Sequence, residues 1–250
     1  KQMSYFIFNG LIECGNQYEL KGEEAQHILK SRRMRTGDFF LIQDEKGRRF
    51  EVLLKNLSRN SLEFVPGKNI AVPPPSPLQL EILQALPKEK ALDFILQKTT
   101  ELGIDRLDIF GGIHSSKVPR ASQIDRQMVR WHRVTLEACK QCGRQFPPEI
   151  YWHLDLKAAL TALPECQKSW VLSPDSANAV SWKNLSTTGE KIKAHQRLLV
   201  GPEGGLHPEE HDLALRAGMR PVYLGPRILR AETAAMTAVA ILQFLWGDLL

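Results

Sequence analysis

The chain has 250 residues, of which 43% are hydrophobic and 24% charged, a length and balance that exclude disorder, a collagen-like fibre and a disulfide-stapled scaffold and leave one large domain or two small ones. The net charge is +5, a modest excess that fits a polyanionic partner. Residues 1–72 hold 12 basic and 9 acidic side chains, or +3, and the longer remainder only +2.

The four cysteines, Cys14, Cys139, Cys142 and Cys166, are too few and too scattered for a disulfide framework, and the sequence shows no charged-then-apolar leader. A cytoplasmic protein is expected. The most apolar stretch, Thr233 to Leu245, is interrupted by Thr237 and Gln243 and is shorter than the roughly 18 to 20 residues of a bilayer span, so no membrane partner is expected.

Taken in chain order, apolar or alternating runs at Tyr5–Phe8, Phe39–Gln43, Phe50–Leu54 and Leu62–Val65 read as strands, with turn signals such as Asp44-Glu45-Lys46-Gly47 between them. One helix is predicted over Glu23–Ser31. The run Val72-Pro73-Pro74-Pro75-Ser76-Pro77 continues neither helix nor central strand, so it marks a boundary between a small β-rich domain, 1–72, and a second domain, 73–250.

Strands and helices then alternate. Strand Leu78–Leu83, helix Lys88–Leu102 closed by Gly103, strand Arg106–Phe110 and a long helix around Ile124–Cys142 come first. Strands Trp170–Ser173 and Leu198–Val200, helix Pro208–Ala217, strand Val222–Leu224 and a last helix from Arg230 to Trp246 follow. Such alternation predicts an α/β fold on a parallel sheet.

Two of these strands run straight into glycine loops: Leu198-Leu199-Val200-Gly201-Pro202-Glu203-Gly204-Gly205 and Val222-Tyr223-Leu224-Gly225-Pro226-Arg227. Ligands of open α/β sheets bind beyond the carboxyl ends of strands, where glycine lets the backbone approach them. Neither loop carries the dinucleotide fingerprint or a P-loop lysine, so two loops sharing one crevice point away from a pyrophosphate. The bland alternative is a pair of tight connections with no ligand.

Gly201-Pro202-Glu203-Gly204-Gly205 followed by Leu224-Gly225-Pro226-Arg227-Ile228-Leu229-Arg230-Ala231-Glu232-Thr233-Ala234 closely resembles the ribosomal RNA small subunit methyltransferase E family, the 16S rRNA uridine N3-methyltransferases of the SPOUT superfamily. Lys98-Thr99-Thr100-Glu101-Leu102-Gly103 and Glu137-Ala138-Cys139-Lys140-Gln141-Cys142-Gly143-Arg144 are similar to its middle motifs, and the basic segment after His27 to its N-terminal PUA-like domain. Pro226 departs from the small or polar residue expected after Gly225.

The resemblance implies a knotted SPOUT-type parallel-sheet methyltransferase domain after a small β-rich PUA-like domain, a C-terminal trefoil knot, a homodimer and S-adenosylmethionine (SAM) as cofactor. Rules of chain topology alone would exclude a knot. Carried over by position, the cofactor-binding residues are Leu172, Ser173, Gly201, Pro202, Glu203, Gly204, Gly205, Leu224, Gly225, Arg227, Ile228 and Leu229.

Arg126, Arg130, Arg133, Glu137, Lys140 and Arg144 fall on one stripe of the long helix, with Ile124, Met128, Trp131, Thr135, Ala138 and Cys142 opposite. Such a stripe is often only a solvated face. Its five cations repel one another unless an anion lies nearby, and RNA phosphate would serve both this stripe and the cluster Lys30, Arg32, Arg33 and Arg35. The expected partner is 16S rRNA or the small ribosomal subunit.

His207-Pro208-Glu209-Glu210-His211 fits a zinc-protease pattern, but Pro208 would begin a helix and leave His207 outside it, so no metal is expected. Cys139 and Cys142 lie within a predicted helix and read as packed thiols. For methylation at uridine N3, Arg230 could hold the charge that develops on the uracil oxygens, and Glu203 or Glu232 could take the proton. Two rivals remain: a SPOUT enzyme that methylates a ribose 2′-hydroxyl, and a non-catalytic RNA-binding protein of ribosome assembly.

Overall fold

The computed structural model describes residues 4–32, 34–166, 168–174, 179–182 and 195–249, with backbone alone over 30–32. The chain divides into two compact units, residues 1–74 with 139–146, and residues 75–138 with 147–250.

The first unit is a five-stranded sheet ordered β1-β3-β4-β5-β2, built from β1 (Tyr5–Ile7), β2 (Tyr18–Lys21), β3 (Phe39–Gln43), β4 (Arg49–Leu57) and β5 (Ser61–Ile70). Its pairs are antiparallel except β1 with β3. Alternation puts Phe40, Ile42, Val52, Leu54, Leu62 and Phe64 into one core, closed by Ala25 and Ile28 of helix α1 (Gly22–Arg32). The sequence pattern missed β2, whose four residues are too few to show a period. Pro66 sits in β5 beyond the stretch that β2 covers and beside a register shift between Phe50 and Val52, where a missing amide donor is tolerated.

Residues 139–146 belong to this unit through specific bonds. The Tyr5 hydroxyl donates to the Arg144 carbonyl at 2.6 Å, Arg49 donates to the Gly143 carbonyl at 3.2 Å, and Lys140 pairs with Glu24 at 2.9 Å. The Arg49 guanidinium also lies 3.9 Å over the Tyr5 ring.

The second unit is a wholly parallel seven-stranded sheet ordered β10-β12-β9-β11-β6-β7-β8. Its strands are β6 (Gln79–Ala85), β7 (Arg106–Phe110), β8 (Glu149–His153), β9 (Lys168–Leu172), β10 (Val180–Ser181), β11 (His195–Val200) and β12 (Arg220–Tyr223). The central strands are buried on both faces, mostly by apolar side chains, as a sheet covered on both sides requires. One face buries Leu80, Ile82, Leu107, Ile109, Leu198 and Trp170 under α2 (Glu89–Glu101), α3 (Ala121–Cys142) and α6 (Ala231–Trp246). The other buries Leu83, Ala85, Phe110, Val171 and Leu199 under α4 (Leu156–Ala162) and α5 (Pro208–Arg216).

The expected alternation is present, with additions. β8 and α4 escaped the sequence reading because Glu149–His153 is a five-residue edge strand behind Pro147-Pro148, and α4 is two turns long, started by Asp155, whose side chain accepts from the Ala158 amide at 2.7 Å. Helix α3 begins at Ala121, one residue past Arg120. β11 enters the sheet between β9 and β6, both of which precede it in the chain, so the carboxyl ends of β9, β11 and β12 lie side by side.

Candidate active site

At those three carboxyl ends lies a cavity of about 840 Å³, within the range of small-molecule sites. Every cofactor-binding residue expected from the sequence lines it: Leu172 and Ser173 after β9, Gly201 to Gly205 after β11, and Leu224, Gly225, Arg227, Ile228 and Leu229 after β12. The two glycine loops therefore do share one crevice.

The glycines are there for different reasons. At Gly201 an added Cβ would meet the Leu206 amide nitrogen at 2.9 Å and the Gly205 carbonyl carbon at 3.1 Å, so only glycine lets the loop fold back on itself. Gly225 has φ +125°, which side-chain-bearing residues rarely adopt. Gln84, buried on β6, donates to the Gly201 carbonyl at 3.2 Å, and the Gly205 amide closes the turn on the Pro202 carbonyl at 2.9 Å.

Helix α5 supplies a wall that the sequence reading missed: Pro208, His211, Asp212 and Leu215. Their spacing of 3, 1 and 3 is one helix face, so the signal was in the sequence but identical to that of any packed helix. The His211 Nε2 atom is buried and has no hydrogen-bond partner among the described residues, and a buried polar atom on a cavity wall is satisfied when a ligand supplies the partner. Apolar Leu172, Leu206 and Leu224, open glycine backbone, the acids Glu203 and Asp212 and the cation Arg227 make a donor and acceptor set that fits a nucleoside bearing an amino acid.

The proposed chemical groups are less uniformly placed. Glu203 lines the cavity and its Oε1 accepts from the Lys88 amide at 3.0 Å. Arg230 is the exposed N-cap of α6 and Glu232 lies half-buried in its first turn; neither lines the cavity, although their neighbours Leu229 and Ala231 do.

Of the cations expected to meet RNA, Arg126 and Arg133 are exposed on α3 and Arg35 is exposed in the first unit. Arg130 instead forms ion pairs with Glu89 and Asp93 of α2. Lys140 is 4% exposed and paired with Glu24. Arg144 is half-buried. The helical period is right, and packing of the helix, invisible to periodicity, takes up Arg130 and Lys140. Arg33 and the side chains of Lys30 and Arg32 lie outside the described residues.

The zinc-like pattern is a helix start. His207 is the N-cap of α5, its Nδ1 accepts from the Glu209 amide at 3.3 Å, and Glu210 Oε2 accepts from the His207 amide at 2.9 Å, a reciprocal capping box. No group of three or more metal-ligating side chains occurs among the described residues. No helix among them is long and apolar enough to cross a membrane.

Comparison with known proteins agrees with this geometry. Residues 74–243 match the family model of the RNA methyltransferase domain, and residues 20–67 that of the RNA methyltransferase PUA domain. The ribosomal RNA small subunit methyltransferase E of Buchnera aphidicola is 28% identical over 95% of this chain and 91% of its own length. That of Bacillus subtilis is 26% identical over 93% and 92%. A solved ribosomal RNA small subunit methyltransferase E from Neisseria gonorrhoeae, bound to SAM, superposes with a TM-score of 0.86 at 27% identity over the full length of both chains. A SAM-bound structure from Legionella pneumophila, described as a methyltransferase, gives 0.89 at 26% identity over 99% of this chain and 100% of its own. The chain belongs to the RNA methyltransferase domain family and, within it, to the ribosomal RNA small subunit methyltransferase E family.

Proposed function

We propose that the protein is a SAM-dependent methyltransferase that acts on N3 of a uridine in 16S ribosomal RNA. The observation that carries this reading is the single cavity made by both glycine loops and one face of α5, in a chain whose full-length structural relative holds SAM.

The cofactor supplies an electrophilic methyl group on a sulfonium. Apolar side chains of the cavity, Leu172 and Leu224 among them, would hold its adenosyl part and exclude water, while Asp212, His211 and Arg227 would meet its polar groups. Uridine N3 is a nucleophile only after its proton leaves, and the resulting charge spreads over both neighbouring carbonyl oxygens. Arg230, between the cavity-lining Leu229 and Ala231, stabilises that charge. Glu203 takes the proton through the carboxylate oxygen that the Lys88 amide does not occupy; its place on the cavity wall favours it over Glu232. The remaining rate enhancement is placement of the two reactants. N3 lies on the pairing edge, so the base must be unpaired or flipped out.

Arg35, Arg126 and Arg133 contact phosphate. The boundary near residue 72 separates a PUA-like RNA-binding domain from the catalytic one, which carries a C-terminal trefoil knot; the entry of β11 between two earlier strands and the shared cavity of loops 201–205 and 224–229 support that reading. The protein acts in the cytoplasm as a homodimer. Incubating 16S rRNA with labelled SAM and analysing the nucleosides tests the reading: 3-methyluridine is expected. A 2′-O-methylated, alkali-resistant product would replace it with the ribose reading, and failure to bind SAM with the assembly-protein reading.

A further inference from the structure

The loop between β7 and α3, residues 111–120, is not used by the mechanism above. Its sequence, Gly-Gly-Ile-His-Ser-Ser-Lys-Val-Pro-Arg, contains no acid. It leaves large apolar side chains in water: Ile113 is 57% exposed and Val118 44%. Leu154, after β8, is 73% exposed and joins them, because its backbone and the Val118 side chain both close on Gly111, where an added Cβ would lie 2.6 Å from the Leu154 carbonyl oxygen and 3.2 Å from Val118 Cγ1. His114, Lys117 and Arg120 are exposed around this patch, and neither Lys117 nor Arg120 has an ion-pair partner among the described residues. The nearest acid in sequence to Leu154, Asp155, is engaged in starting α4.

The loop is also fastened to the glycine loop of the cavity. His114 Nδ1 lies 3.1 Å from the Gly205 carbonyl, so that nitrogen carries the donated proton, and the His114 ring packs edge-on against His207 with centroids 5.4 Å apart. Glu210 binds both sides, its Oε1 accepting from the Ile113 amide at 3.0 Å and its Oε2 from the His207 amide at 2.9 Å. The exposed patch is therefore held at a fixed place beside the cavity wall.

We propose that this loop is a docking surface for an unpaired stretch of the RNA substrate next to the target nucleotide, with Ile113, Val118 and Leu154 against base faces and Lys117 and Arg120 on phosphates. Exposed apolar groups flanked by cations, with the nearby acids Glu210 and Asp155 both taken up in helix-start hydrogen bonds, match single-stranded RNA, whose base faces are available, and not a duplex, which shows only backbone and groove. The inference rests on the RNA methyltransferase reading and names the part of the substrate that the site grips.

The test compares wild type with Lys117→Ala/Arg120→Ala and with Ile113→Ser/Leu154→Ser. Binding of 16S rRNA and of a single-stranded oligonucleotide is measured over a range of salt, with SAM affinity by calorimetry as the control for an intact site. The charge variant should bind both RNAs about tenfold more weakly, and its salt slope should fall by roughly 0.7 per lost contact. The apolar variant should lose about fivefold or more on the single strand with the slope unchanged. Unchanged RNA affinity in both variants overturns the proposal. So does a change of oligomeric state in the apolar variant without loss of RNA binding, which would make the patch an interface between copies of the chain. Wild type that binds RNA through these residues but makes no 3-methyluridine would uphold the docking surface and defeat the catalytic reading.

Discussion

At the scale of single residues, the second unit is held on one sheet face by charges that have nowhere else to go. Asp108 on β7 is fully buried and accepts from Arg106 at 2.6 and 2.9 Å, while His153 on β8 lies 2.6 Å away. Burial alone would raise its carboxyl pKa, but the hydrogen bonds from His153 and Arg106 outweigh burial and hold it below the ordinary value. A carboxylate with a depressed folded-state pKa contributes stability that is fully present above its unfolded value of about 3.9 and is lost as pH falls through the folded value. Asp108→Asn should therefore cost about 3 kcal/mol at neutral pH, because Arg106 is left without its counter-charge. The gap in melting temperature between variant and wild type should narrow as pH falls below the unfolded value of about 3.9 and through the folded one; a gap that stays constant throughout the acid range would show that shape, not charge, is lost. The cysteines give a second prediction. Burial pushes the Cys139 thiol up to about 12, whereas Cys14 is exposed. An alkylating reagent at neutral pH should modify Cys14 and leave Cys139 untouched until the protein unfolds, read by peptide mass spectrometry.

At the scale of elements, the two glycine loops were legible because glycine after a strand has few other uses, and their pairing made a crevice the economical reading. The α5 wall was not legible, since Pro208, His211, Asp212 and Leu215 have the spacing of any helix with a covered side, and only the fold shows that what covers this side is a cavity. The stripe on α3 shows the reverse limit: its period was right, yet partners from distant parts of the sequence, Glu24 for Lys140 and Glu89 with Asp93 for Arg130, had no local signal. A third prediction belongs here. Gly201→Ala forces the loop open against its own backbone, so SAM affinity by calorimetry should fall at least about tenfold, since small misplacements in a site are costly. The melting temperature should shift little, because the loop lies outside the buried clusters. Equal affinity in the folded variant would mean that the loop's shape is not read by the cofactor.

At the scale of the whole molecule, the chain's division was only partly legible. The proline run stood out, but nothing local marks residues 139–146 as part of the N-terminal unit, because they join it through Tyr5, Arg49 and Glu24, about a hundred residues or more away. The last helix carries the remaining question. Ala231–Trp246 contains one charged residue, Glu232, and a helix apolar all round is normally covered all round. Its inner positions Ala235, Ala238, Val239 and Leu242 are fully buried in the core. The stripe Thr233, Thr237, Ala240 and Phe244 follows spacings of 4, 3 and 4 and stays at least partly exposed, Phe244 at 67%. Ile228 in the second cavity loop is 97% exposed. The helix side chains of this stripe are small or apolar and line up as one ridge, which suits close approach of the same helix from a second copy in a symmetric dimer. Phe244→Glu should abolish the proposed homodimer: losing a phenyl ring that such an interface would bury costs about 2 to 3 kcal/mol, and burying the new carboxylate costs more, so the dissociation constant should rise at least about a hundredfold. Sedimentation equilibrium of variant and wild type gives the answer, with the melting temperature checking that the monomer is folded. Because Ile228 also lines the cavity, the monomer should bind SAM more weakly as well. A wild type that sediments as a monomer at high protein concentration would mean that the ridge serves another purpose.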